Sequence, residues 1–285
     1  MEFSVFSNPG RRIGREDSIV LEKETIAKAH QYVLFNCNSI ESYIEEHKAK
    51  VDYENPRLSR KNIEQIHSNT FANWFYKHVE NLHLVGNQVS EELRALARGP
   101  NPVGKRYRGF IVNGFRFHVK SCEIRKKTQN SGLVVTAQTS SFASRNDNNP
   151  IIGDFTYYGI LKDIIELEYF GGRKIVMFDC DWVSVRSAQK RDEYGFTLVN
   201  LSRLRQHSEP FILASQAQQV FYVEDHVEKG WNVVVKTKAR DTFDMDPVLS
   251  LDADAIQQND TNDAQFDDED EQLNLVREDV EGTVV

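Results

Sequence analysis

The stretch TYYGILKDIIELEYFGGRKIVMFDCDWVSV, residues 156–185, decides the fold. Ile160, Ile164 and Ile165 precede Gly171-Gly172, and Ile175, Val176, Met177 and Phe178 follow it. These runs are too continuously apolar for strands open to water on one face, and they are joined by residues that tolerate positive φ. They predict a hairpin at the centre of a β-sheet.

Working outward, Asn113-Gly114 lies between GFIV and FRFHV, which predicts a second hairpin with a two-residue turn. In that register Val112 faces Phe115 and Phe110 faces Phe117 on a buried side, and Arg116, His118 and Lys120 point outward. A turn at Asn130-Ser131-Gly132 leads into a strand at Leu133–Thr139, and Ser140–Pro150 reads as a surface loop. Further strands are expected at Phe196–Leu201, Val220–Val223 and Trp231–Lys236, with Pro210–Leu213 leading into a turn at Ser215–Gln219. Residues 105–240 therefore read as a mainly antiparallel β-domain, either a small curled sheet or an SH3-like barrel with helices packed outside.

Before Pro102 the period is helical. Residues 1–20, with Arg11, Arg12 and Arg15, show no sustained pattern and are expected to be a loose arm. A helix begins at Glu22, and Asn38 with Glu41 has the spacing of a capping box for a second. Ser59 caps a third, whose Ile63, Ile66, Phe71, Trp74, Phe75 and Val79 form an aromatic face that must pack on something. Ser90 caps a fourth, stopped at Gly99-Pro100. The chain thus divides into a helical region, 1–100, the β-domain, 105–240, and a tail, 241–285, and the class is α+β.

The net charge of −8 hides an asymmetry, because residues 241–285 hold 15 of the 43 acids and one base, Arg277. The part before them carries +6. The tail has too little apolar surface to offset ordering entropy and is expected to be disordered. In the body, Lys105, Arg106, Arg108, Arg116, Lys120, Arg125, Lys126 and Lys127 gather on and around one predicted hairpin, as a phosphate-contacting surface does. An ordinary solvated face has the same composition.

The three cysteines, Cys37, Cys122 and Cys180, form no CxxC pair, and the eight histidines form no HxxxH or HExxH pair. No disulfide framework, metal or cofactor is therefore assigned. His30, His47, His67 and His78 lie in helical patterns, where polar or capping roles are expected. No apolar run reaches the roughly 18 residues of a membrane span, and no signal-peptide plan opens the chain, so a soluble intracellular protein is expected.

The best catalytic candidate is Asp179 with Asp181, same-face carboxylates that a two-metal nuclease could use. It needs a third carboxylate, and neither Glu166 nor Glu168 is followed by the two-on lysine of a DxExK nuclease. Alternation turns Cys180 toward the core, away from any role as nucleophile. Exposed aromatics such as Tyr157, Tyr158 and Trp182 could instead form the cage of a chromatin or peptide reader.

YYGILKDIIELEY, FDCDWV, GFTLVN and EPFILASQAQQVFYVED, with GFIVNGFRFHV and KTQNSG upstream, resemble the C-terminal region of plant CACTA (En/Spm-type) transposon proteins. The strongest part, Gly153–Asp225, is similar to the plant domain of unknown function that follows the transposase there. HQYVLFNC at 30–37 and FANWF at 71–75 resemble the end of an intermediate region, inside which the chain begins, as a remnant or separately encoded piece would. The resemblance implies a nuclear, non-catalytic module beside a transposase, because the phosphoryl-transfer carboxylates of that family lie upstream in a domain that nothing here resembles. It implies DNA or a transposase-type protein as partner and transfers no binding residues, catalytic residues or small-molecule substrate.

Overall fold

The computed structural model describes residues 4–7, 10–124, 126–141, 151–185, 187–205 and 210–240. Met1–Met245 forms one compact unit; the second, Asp246–Val285, lies outside the described residues, and so does the expected disorder of 241–285.

Among the described residues there are four α-helices: α1 (Lys23–Phe35), α2 (Glu41–Glu54), α3 (Arg60–Leu84) and α4 (Glu91–Arg98). Ser59 and Ser90 cap α3 and α4 as expected, accepting from the Asn62 and Leu93 N–H groups at 3.4 and 3.1 Å. The capping box at Asn38 is not formed. Ile40 is fully buried and ends a tight turn over Asn38–Ile40, so α2 starts at Glu41 with Ile40 as its N-cap and no side-chain capping bond.

The N-terminal arm is not loose. Arg11–Val20 is a strand, β1, laid antiparallel along β2 (Val103–Val112) from Arg11↔Ile111 to Val20↔Val103. Most of its side chains stay exposed, so the backbone ladder holds it and no burial period marks it. Next come β3 (Phe115–His118), β4 (Gly132–Ser141), β5 (Ile151–Tyr169) and β6 (Arg173–Val183). After them run β7 (Gln189–Arg191), β8 (Thr197–Val199), β9 (Leu204–Arg205), β10 (Phe211–Leu213), β11 (Gln218–Glu224) and β12 (Asn232–Lys236). Residues 142–150 of the predicted loop fall outside the described ones, while Ser140 and Ser141 extend β4.

The central hairpin is β5–β6, turning at Gly171 and Gly172 with φ of 77° and 70°. β5 runs for 19 residues and changes partner along one edge, pairing β4 from Ile151 to Ile160 and β2 from Ile164 to Glu166. A bulge at Lys162 takes up the bend. The strand order is β1-β2-β5-β4-β11-β12-β8-β7, so the sheet curls but does not close, and the SH3-like barrel is corrected to an open sheet of 12 strands. The hairpin β2–β3 has the expected register, with Asn113 and Gly114 at φ of 52° and 75°.

β5 and β6 bury both faces, as their composition requires. Ile165, Leu167, Tyr169, Ile175 and Met177 join Phe71, Phe75 and Val79 of α3, Val33 and Leu34 of α1 and Leu96 of α4 in one core. Leu161, Ile164, Phe178 and Cys180 join Phe110, Val112, Phe115 and Phe117 in a second. The aromatic face of α3 is therefore core.

Candidate nucleic-acid interface

The basic residues nominated from sequence separate into two groups. Three are tied to acids: Lys105 Nζ reaches Glu16 Oε1 of β1 at 2.7 Å, Arg106 Nε donates to Asp163 Oδ2 of β5 at 2.8 Å, and Lys120 Nζ donates to Glu123 Oε2 at 2.9 Å. Arg108, Lys126 and Lys127 are exposed, and among the described residues no acid pairs with them. Arg116 does not point freely outward. It is half-buried beside β11, as is His118, and its Nε is buried without a hydrogen-bond partner. Arg125 lies outside the described residues.

Glu123 organises the loop that carries Lys126 and Lys127. Its buried carboxylate accepts from the Asn130 and Ser131 N–H groups at 2.5 and 2.6 Å, from Ser131 Oγ at 2.8 Å and from Lys120. This pins both ends of the 120–131 segment against β3, where His118 N–H donates to the Asn130 carbonyl at 3.1 Å.

Sequence reasoning missed Lys236, Lys238 and Arg240. Beyond β12 the chain returns to the β2–β3 hairpin: Thr237 N–H donates to the Gln219 carbonyl at 3.2 Å, and Arg240 N–H to the Gly114 carbonyl at 2.9 Å. The Gln219 side chain in turn bonds the Arg116 carbonyl and Asn130 Oδ1. These bonds bring the segment that carries Lys236, Lys238 and Arg240 beside the hairpin of Arg116 and the loop of Lys126 and Lys127, and all of these residues but Arg116 are exposed. The signal was present as KTKAR, yet only tertiary hydrogen bonds say which surface it joins.

The acids occupy the sheet face toward the helices. Asp179 and Asp181 do share a face, and Lys162, placed at the bulge, spans both, at 3.1 and 3.8 Å. The neighbouring third acid is Asp163, directly across from Asp179 in the β5–β6 register, rather than Glu166 or Glu168. Glu166 faces the other way, held by Tyr107 Oη at 2.8 Å and Lys174 Nζ at 3.0 Å. Burial pushes the carboxyl groups of Asp163 and Asp179 up, against the pull of Arg106 and Lys162. Asp163, Asp179 and Arg106 line a cleft with Ile19, Leu21 and Phe211, and no group of three metal-ligating side chains is found among the described residues. Cys180 is fully buried, its thiol pushed well up by burial, so it offers no nucleophile.

The aromatic cage is not formed. Tyr158 and Trp182 are buried, at 4% and 5% exposure, and Trp182 Nε1 donates to the Pro210 carbonyl at 3.3 Å.

Residues 165–234 match the model of a domain of unknown function, DUF4216. The match starts in the second half of β5 and ends in β12, so it takes in the central hairpin and the strands after it. Most of the basic surface lies outside it, since Arg116, Lys126 and Lys127 precede it and Lys236, Lys238 and Arg240 follow it. No curated protein and no solved structure matches the chain. No described helix is long and apolar enough to cross a membrane.

Proposed function

We propose that this chain is a non-catalytic module of a transposon-derived nuclear protein, and that it contacts the DNA backbone through the hairpin surface. The observation that carries the reading is the return of the 237–240 segment to the hairpin tip, which adds Lys238 and Arg240, with Lys236 at the end of β12 just before them, to Arg116, Lys126 and Lys127. Cations with no acid partner among the described residues remain available to displace the counterions of a polyanion, which is the main source of non-specific DNA affinity. Lys105, Arg106 and Lys120 are spent on internal ion pairs and contribute little. The resemblance of Gly153–Asp225 to the CACTA region supports a place beside a transposase. Engagement of Asp163, Asp179 and Asp181 by Arg106 and Lys162 supports the absence of metal-dependent catalysis.

The test is fluorescence anisotropy of a labelled duplex against the full chain and against a version ending at Met245, the boundary of the compact unit. Affinity on the order of 10⁻⁴–10⁻⁶ M is expected, with a log–log salt slope approaching about −5 if six phosphates are neutralised. Lys126→Glu with Lys127→Glu, and Lys238→Glu with Arg240→Glu, each weaken it and flatten the slope. Absence of binding at low salt in both versions, or wild-type affinity in both charge-reversed variants, removes the DNA reading and leaves a protein partner in its place.

A further inference from the structure

His47 of α2 and His67 of α3 meet with their Nδ1 atoms 2.7 Å apart, and both residues are buried. Two imidazole nitrogens at that distance hold one proton between them, so one ring donates and the other accepts. Thr70 decides which. Its hydroxyl donates to the Ile66 carbonyl at 2.7 Å, which leaves its oxygen to accept from His47 Nε2 at 3.4 Å. His47 therefore carries its proton on Nε2 and accepts at Nδ1, while His67 donates from Nδ1. The lone pair left over, on His67 Nε2, is buried and has no hydrogen-bond partner.

A further proton has nowhere favourable to go. On His47 Nδ1 it abolishes the bond between the rings and places an imidazolium against Phe71 and Trp74; on His67 Nε2 it places one against Phe35 and Phe71. The charged groups facing the pair do not compensate. From α2, Lys48 and Lys50 oppose protonation and Glu54 favours it. Glu64 of α3 is engaged by Lys48 at 3.9 Å, and Glu46 of α2 faces His78 of α3 at 3.8 Å. α1 contributes the Phe35 ring. The buried positions of α2 are His47 and Val51, with Tyr43 and Ile44 only partly buried against the core, so the histidine pair is a large share of what holds this helix to α3.

We propose that the His47–His67 bond is an acid-operated latch, whose protonation releases α2 from α3 and uncovers the aromatic face of Phe71 and Trp74 while the sheet stays folded. Burial, the largest cause for both rings, lowers His47 and brings His67 down from 6.5 to about 4. A histidine harder to protonate when packed than when free stabilises the closed form fully above its free value. That contribution is lost as pH falls from 6.5 toward about 4.

The latch is tested by hydrogen exchange on the full chain at about pH 7 and about pH 4.5, corrected for intrinsic rates. His67 alone then raises the open fraction of α2 on the order of fiftyfold. Amides of α2 should lose protection to that extent while those of β5 and β6 keep theirs. His67→Gln retains a donor for His47 Nδ1 without titrating, and should remove most of the effect. Ring ¹⁵N spectra of the unaltered protein give a readout independent of any variant, showing His47 protonated on Nε2 and His67 on Nδ1 near neutrality. Simultaneous loss of protection in α2 and the sheet, an undiminished effect in His67→Gln, or ring titrations at the ordinary histidine value would each overturn the latch.

Discussion

Glu123→Ala should be among the most damaging single changes outside the main cores. The carboxylate accepts from two backbone N–H groups, one hydroxyl and one ammonium, and it does so while buried. Truncation leaves the Asn130 and Ser131 amides facing a space with no acceptor. An orphaned buried donor costs about 1–3 kcal/mol, and because these two are adjacent their costs do not add fully, so a loss of about 3 kcal/mol is expected. For a domain of this size that is a fall of about 6–12 °C in Tm. Glu123→Gln keeps one acceptor oxygen and should lose roughly half as much. Urea denaturation followed by circular dichroism measures both. The loop pinned by Glu123 carries Lys126 and Lys127, so duplex affinity should also fall in Glu123→Ala although no DNA-contacting charge has changed. A stability within about 0.5 kcal/mol of the parent would refute the reasoning, because it would mean that water replaces the carboxylate at no cost.

Gly132→Ala builds a Cβ 2.3 Å from the Val220 carbonyl oxygen, and backbone cannot step aside cheaply, so β4 and β11 should separate locally at a cost of about 1–3 kcal/mol, read by denaturation. Gly114→Ala combines φ of +75° with a Cβ 2.6 Å from the Arg240 carbonyl oxygen; it should detach the 237–240 segment and flatten the salt slope of duplex binding. Phe71→Ala empties a fully buried site shared by the helices and the sheet, with an expected loss of about 3–5 kcal/mol in a chemical denaturation curve. Asp179→Asn should raise rather than lower Tm near neutral pH. Its carboxyl is pushed up by burial, so the fold favours the protonated form that Asn mimics; a clear fall would show that the Lys162 pair outweighs desolvation.

What was legible in the sequence is what burial or local backbone chemistry dictates. The hairpin β5–β6 could be read because both of its faces are covered, and Asn113-Gly114 because few other pairs accept two consecutive positive φ values. The caps at Ser59 and Ser90 were legible because their bonds span three residues. β1 was not, since an exposed edge strand carries no apolar period, and β7 and β9 were too short to show one. The candidate site divides along the same line. Its charges could be counted, but whether a lysine is spent or available depends on partners far along the chain, Glu16 for Lys105 and Asp163 for Arg106. The place of Lys238 and Arg240 rests on a hydrogen bond from Arg240 to Gly114, more than a hundred residues away. The histidine pair lies between these cases. Ile63, His67, Phe71, Phe75 and Val79 follow one another at four-residue steps, so His67 stands on the buried stripe of α3 and could have been read there as a core histidine. That its partner is His47 could not, because no local spacing says which residue of α2 meets His67 of α3.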